Sequence, residues 1–395
     1  MQSTDRRVAA FTGLAHASFH TYELAIPLFV PLWLDEFSAS AATLGLVVGA
    51  GYALIGVGAL PSGLLSDRFG SKTLVVTAVA GMGGGFLLLS TATGLASLTA
   101  ALMLWGVAAS VYHPAGLSLI SRVVDDRGTV FAYHGVGGSL GTAAGPAVTA
   151  VLLVVVDWRL VAVALATPAA AVAVAGLLSA VDDPVGSDAG ITDVRGFVDD
   201  TRALFTAGFA LTMVVVMLYG VYYRGLLTFL PESLSGLALF EPVAVAGWTV
   251  DPGQYVYAGL LAVGALGQYG GGRVTHYVRS EVALVATLGV LVVLALAFVP
   301  ASGVGTSAFL LVCALLGLVL YSVAPIYQVA IADRAPEGSH GLSYGYTYLG
   351  TFGVGAVGAA MAGAVLDRAG TPTLFVVLAA FAGLGAAVAL ALVRR

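Results

Sequence analysis

The stretch GLLSDRFGSK, residues 63–72, places an acid, two basic residues and two glycines between long apolar runs at 41–64 and 73–90. Each run is long enough to cross a bilayer, because a transmembrane helix needs about 20 mostly apolar residues. The polar residues between them suit a short hinge at one membrane surface. Gly63 and Gly70 permit a tight turn and close helix approach, while Asp67 and Arg68 can pair or meet a helix end.

The same alternation of apolar run and brief polar break continues along the chain. Apolar residues make up 59% of the sequence and charged residues 9%, and the mean hydropathy is +0.98. These values lie outside the soluble globular range. Twelve windows qualify as spans: 9–33, 41–64, 73–90, 95–118, 129–155, 160–180, 205–230, 255–272, 282–299, 306–330, 341–365 and 373–392. Such evenly apolar runs exclude barrel strands, which alternate over about ten residues. The expected class is an all-α integral membrane protein. The opening MQSTDRR with its apolar run is read as a retained first helix, since the run carries His and Glu and lacks a small-residue cleavage site.

Basic residues of short loops are retained on the cytoplasmic side. One alternate set of loops holds Arg6, Arg7, Arg68, Lys72, Arg122, Arg127, Arg195, Arg202, Arg273, Arg279, Arg334, Arg394 and Arg395, and the other holds Arg159 and Arg368. Both termini are therefore expected in the cytoplasm, in a multi-pass protein of a prokaryotic cell membrane. The remaining basic residue, Arg224, falls inside the seventh window. The acidic, glycine-rich stretch 182–202 reads as a linker between six-helix bundles at 1–181 and 203–395. The bundles echo one another: FVPLWL (29–34) returns as FLPESL (229–234), and YHPAGLSLISR (112–122) as APIYQVAIADR (324–334). Two parallel repeats of this kind describe a transporter architecture with its solute site at the midplane.

GLLSDRFGSK resembles the signature loop of the major facilitator superfamily, Gly-x-Leu-x-Asp-Arg-x-Gly-Arg-Lys, with Ser71 in place of the usual basic residue. The resemblance implies a conformational gate at Gly63, Asp67, Arg68 and Gly70. The degenerate second-half copy keeps Arg273 but has His276 where the aspartate would stand, which puts a charge lock there in doubt. In the fifth window Gly141, Gly145 and Pro146 resemble the glycine-proline motif of the superfamily's antiporters, although Val148 and Thr149 replace the glycines that usually follow. VYHPAG (111–116), YHGVGGSLGTAAGP (133–146) and YYRGLLTFLP (222–231) are similar to the fosmidomycin-resistance-like branch.

The first window contains HASFHTYELAIP, residues 16–27. At 100° per residue, His16, His20 and Glu23 share one face. A charge at the bilayer centre costs about 2.5–3.5 kcal/mol on insertion scales, so such residues face a cavity or a partner. Glu23 is read as the deep acid, with His20 and His113 as companions in proton coupling. The family fold implies a cavity lined by windows 1, 4, 7 and 10. That would bring Glu23, His113 and Arg224 toward a shared space, and the further candidate cavity residues are His20, Tyr22, Tyr112 and Tyr321, with His134 and Tyr348 from the fifth and eleventh windows. Each also has a structural alternative. His16 can face the headgroups, His134 can bond a neighbouring helix, His113 can satisfy carbonyls freed by Pro114, and Arg224 can snorkel outward.

The lone Cys313 excludes an internal disulfide, and no metal-ligand spacing is evident along the chain, so neither metal nor cofactor is expected. Without a nucleophile motif or nucleotide loop, an enzyme is the least favoured class, together with a receptor. The expected partners are a small solute, protons and the lipid bilayer, with no nucleic acid, and a monomer is expected. The branch resemblance implies proton-coupled efflux of a small, anionic or drug-like compound. The same residues allow uptake of an organic acid or sugar by symport.

Overall fold

The computed structural model describes residues 2–181, 183, 194–336 and 340–394, except for the side chains of Gly63, Leu64, Asp67, Val194, Arg195 and His340. It is helical almost throughout. Before the linker lie α1 (Ser3–Glu36), α2 (Ala41–Phe69), α3 (Ser71–Leu89), α4 (Leu95–Ser110), α5 (Tyr112–Val123), α6 (Arg127–Val155) and α7 (Trp158–Leu178). After it lie α9 (Ala207–Ser235), α10 (Pro252–Val274), α11 (Ser280–Val304), α12 (Thr306–Ala332), α13 (His340–Tyr348) and α14 (Val357–Val393). Among the described residues, nine helices are long and apolar enough to cross a membrane. One of these, Gly341–Val393, spans 53 residues and holds two crossings separated by the left-handed turn at Gly370 (φ 74°). With α1 and α10, whose polar residues lower their hydropathy, the crossings number twelve, as the twelve windows anticipated.

The pairing of crossings repeats between the bundles. In the first bundle α1 packs on α6, α2 on α4, and α3 on α7; in the second, α9 packs on the first part of α14, α10 on α12, and α11 on α14. Close approach rests on small residues. Gly137, Gly141 and Gly145 of α6 lie against Gly13, Ala17 and Thr21 of α1, where added Cβ atoms would strike backbone or the Thr21 side chain. Without a hydrophobic drive between helices in lipid, such contacts are what allow the helices to associate.

Three departures from the simple twelve-rod reading matter. The fourth crossing breaks at Val111 into α4 and α5, three residues before Pro114, which cannot donate to the preceding turn and crowds its carbonyl. The eleventh passes through a π-helical stretch, Leu349–Val354, where the Gly355 N–H reaches back five residues to the Gly350 carbonyl at 3.0 Å. π-turns of this kind recur at functional positions. The described end of the expected linker forms α8 (Val194–Leu204), and between α9 and α10 a small antiparallel hairpin forms from β1 (Val243–Val245) and β2 (Trp248–Val250). These two features mark opposite ends of the molecule, called here the linker face and the hairpin face.

Contacts between the bundles run along α2 with the π stretch and α14, α6 with α10, and α1 with α9. At the hairpin face Asp367, between the last two crossings, accepts the Ala41 and Ala42 N–H groups at 3.0 and 2.9 Å. It thereby caps α2 of the other bundle, whose terminal N–H groups lack partners within the helix.

Candidate functional site

The site forms where α1 meets α9. Along α1 every residue from Tyr22 to Val30 is buried, and along α9 every residue from Tyr219 to Pro231. Within that zone the Arg224 Nη2 atom donates to Glu23 Oε1 at 2.5 Å, joining the bundles by an ion pair that is 1–2% exposed. The second carboxylate oxygen, Oε2, lies 2.7 Å from His20 Nδ1. Desolvating two ions costs several kcal/mol each, so the pair persists only with good geometry and further partners. Aromatic rings supply them. The guanidinium carbon lies 3.9 Å from the centroid of Tyr52 on α2, 4.7 Å from Phe352 in the π stretch and 5.2 Å from Tyr223 on α9. Ring faces attract a cation electrostatically. Two further hydroxyls fix the α1 backbone: Tyr52 donates to the Glu23 carbonyl at 2.9 Å and Tyr257 to the Leu24 carbonyl at 3.1 Å.

One turn toward the linker face, four imidazoles converge. His16 Nε2 lies 3.1 Å from His20 Nε2, and His16 Nδ1 lies 2.9 Å from the His134 carbonyl oxygen. The His134 ring stacks on His16 at 4.1 Å, and His113 meets His16 edge-on at 5.1 Å. His113 is buried, with no partner on Nε2 among the described residues, and Tyr348 stacks on its ring at 4.9 Å. Ring nitrogens of His16, His20 and His113 lie within 4.8 Å of one another. Spacing along the sequence gave no sign of this, because the three rings come from α1 and α5. His16, expected at the headgroups, sits inside the cluster; Gly138 of α6 leaves the space that its ring occupies.

The structure brings His20, Glu23, His113, His134, Arg224 and Tyr348 together as one chain of contacts. Arg224 does not snorkel. Tyr112 borders the cluster, with its ring 5.8 Å from His16 and its hydroxyl donating to the Thr12 carbonyl at 2.8 Å. Tyr321 lies one step removed, its hydroxyl 3.1 Å from that of Tyr223. Tyr22 is a correction: it points into the first bundle, donates to the Leu165 carbonyl at 3.0 Å and packs on Phe86. Neighbouring helical residues do not share a face, so Tyr22 and Glu23 diverge. Tyr52, Tyr257 and Phe352 were not singled out as site residues by sequence, because nothing in an apolar run marks which aromatic ring meets a charge.

At the linker face Gly70 ends α2 with φ 81°, the turn that its glycine was expected to make. Arg68 is exposed beside the Phe69 ring, and the Asp67 side chain lies outside the described residues. Arg273 is exposed and makes a long 3.5 Å contact to the Tyr277 hydroxyl. The second bundle nonetheless has a charge cluster at this face. Glu281 at the start of α11 pairs with Arg334 beyond α12 and approaches Arg279 at 3.5 Å. Gly141 and Gly145 serve helix contact, and Pro146 lies within α6.

Twelve crossings in two repeating bundles, with a buried ion pair between them, define a transporter fold. Residues 12–359 match the family model described as Major Facilitator Superfamily, and the chain belongs to that family. Among curated relatives, the 4-hydroxybenzoate transporter PcaK of Pseudomonas putida is 32% identical over 139 residues, which is 34% of this chain and 31% of that transporter. The chain thus spans about a third of the curated relative's length. Among solved structures, a bacterial homologue of the human lysosomal transporter Spinster, inward-facing and unoccupied, superposes with a TM-score of 0.78 at 15% identity, covering 100% of this chain and 98% of that one. The nucleoside transporter NupG gives 0.77 at 14% identity, with 99% and 100% covered. These likenesses confirm the fold. The chain is a multi-pass membrane protein of this family.

Proposed function

We propose that the protein carries a small organic anion across the cell membrane together with a proton, with both termini in the cytoplasm. The observation that carries this reading is the Glu23–Arg224 pair, enclosed between the two bundles. In the empty carrier Glu23 acts as an internal anion on Arg224. A carboxylate solute competes for the same guanidinium, which offers planar, bidentate recognition, and it displaces Glu23 in doing so. The ring faces of Tyr52, Tyr223 and Phe352 around the guanidinium favour a flat aromatic acid as the solute class. The partial likeness to a 4-hydroxybenzoate transporter points the same way. His20 and His113 stand on the path by which a proton compensates the added negative charge.

Loading of proton and anion together makes symport the reading that the ion pair supports best, ahead of the efflux implied by the resemblance of residues 111–116, 133–146 and 222–231 to the fosmidomycin-resistance-like branch. Alternating access follows from rocking of the bundles about this pair. The test is uptake of radiolabelled 4-hydroxybenzoate and related carboxylates into proteoliposomes with the outside acidified. The expected result is accumulation by the wild type and none by Arg224→Gln. Equal accumulation by both would remove Arg224 from the solute site.

A further inference from the structure

The two Nδ1 atoms of the His16–His20 contact are already committed. His20 Nδ1 faces the Glu23 carboxylate at 2.7 Å, and His16 Nδ1 faces the His134 carbonyl oxygen at 2.9 Å. Arg224 on the other carboxylate oxygen favours an ionised Glu23. An ionised carboxylate and a carbonyl only accept hydrogen bonds, so both Nδ1 atoms are donors. A neutral imidazole has one N–H. Both Nε2 atoms are then bare lone pairs, and they face each other at 3.1 Å. Two acceptors at that distance repel, and a proton between them converts the contact into an N–H···N hydrogen bond within an imidazolium–imidazole pair.

We propose that His16 and His20 together bind the coupling proton, shared between their Nε2 atoms beside the Glu23–Arg224 pair. This rests on the proton-coupled reading above and names the group that carries the proton. The groups that face the pair from the packed elements are Glu23 on α1, His113 and Tyr112 on α5, His134 on α6, and Tyr348 beyond His113. Arg224 on α9 and Tyr52 on α2 act through Glu23. The fixed charges among them are Glu23 and Arg224, which cancel. A proton on the ring pair adds one positive charge, and a monoanion at Arg224 cancels it. The empty and fully loaded sites are thus both neutral, whereas either load alone leaves an unbalanced charge to be carried through an apolar barrier. That difference ties one proton to one monoanion.

The experiment uses the full chain, labelled with 15N-histidine, in lipid. Ring-nitrogen spectra are recorded between about pH 5 and 8, the range in which imidazole ordinarily titrates. The proposal expects two rings to take up one proton jointly, with a shared N–H···N coupling that is lost in both His16→Asn and His20→Gln and kept in His134→Asn. In proteoliposomes the first two variants should lose the pH-driven accumulation of 4-hydroxybenzoate, down to the level of uncoupler-treated vesicles, while the solute still raises their unfolding midpoint in detergent, as binding at Arg224 requires. Independent titration of the two rings would overturn the proposal. So would one equivalent of bound metal in the purified protein whose removal by a chelator shifts these resonances, since the shared cation would then be a metal ion. If 4-hydroxybenzoate is not a solute, the transport arm fails for the wild type too, and the spectra alone decide the proton site.

Discussion

Replacing Glu23 with glutamine while keeping Arg224 leaves a guanidinium that is 1% exposed without its counter-charge. Breaking a buried ion pair by removing one partner costs about 3–5 kcal/mol. The Tyr52, Phe352 and Tyr223 rings remain around the guanidinium, and a desolvated cation–π contact is worth about 2 kcal/mol. The expected loss for Glu23→Gln therefore lies at the lower end of that range, whereas Arg224→Gln, which strands the carboxylate, lies at the upper end. The double variant Glu23→Gln/Arg224→Met removes both charges and should unfold at or above the wild-type midpoint. Thermal unfolding in detergent, followed by tryptophan fluorescence, gives this order directly. Adding a carboxylate solute should raise the Glu23→Gln midpoint more than the wild-type one, because the anion no longer competes with Glu23 for Arg224. If both single variants unfold at the wild-type midpoint, the pair does not bridge the bundles as described.

Other outcomes follow from the packing. Gly141→Leu should abolish folded yield, since any side chain there strikes the Ala17 carbonyl, whereas Gly135→Ala, with no atom within 4 Å of its added Cβ, should be silent in the same size-exclusion assay. Asp367→Ala removes the carboxylate cap on the Ala41 and Ala42 N–H groups and costs about 0.5–2 kcal/mol. That loss should loosen the hairpin face and increase labelling of a reporter cysteine there, and unchanged labelling would deny the cap a role in closure. In a Cys313→Ala background, Ala244→Cys in the hairpin should react with an impermeant thiol reagent added outside cells and Gly196→Cys should not. The reverse pattern would invert the charge-based topology.

The helices were legible because each apolar run is continuous and each break is polar or glycine-rich, as at GLLSDRFGSK. The His20–Glu23 contact was legible as well, since three residues along a helix bring side chains together. Its partner Arg224 lies 201 residues away, and no local pattern distinguishes a guanidinium that pairs across a bundle interface from one that snorkels. His16 lies inside the cluster because Gly138 of α6 leaves room for its ring and the His134 carbonyl, 118 residues away, meets its Nδ1, and no local pattern shows either contact. His276 in place of the signature aspartate put a charge lock in the second bundle in doubt, and the charges that meet at that face are Glu281 and Arg334, 53 residues apart and outside the motif. Tyr52 sits in GAGYALIG, where an apolar context hides its contact with Arg224.

The central claim is that an anion and a proton load together at one site built from both bundles. The most direct measurement imposes an inward 4-hydroxybenzoate gradient on proteoliposomes clamped at zero membrane potential and records internal pH, with Arg224→Gln vesicles as the reference for passive entry. The account predicts internal acidification in step with anion entry, beyond that reference. Anion entry with no pH change, or with internal alkalinisation, would contradict it.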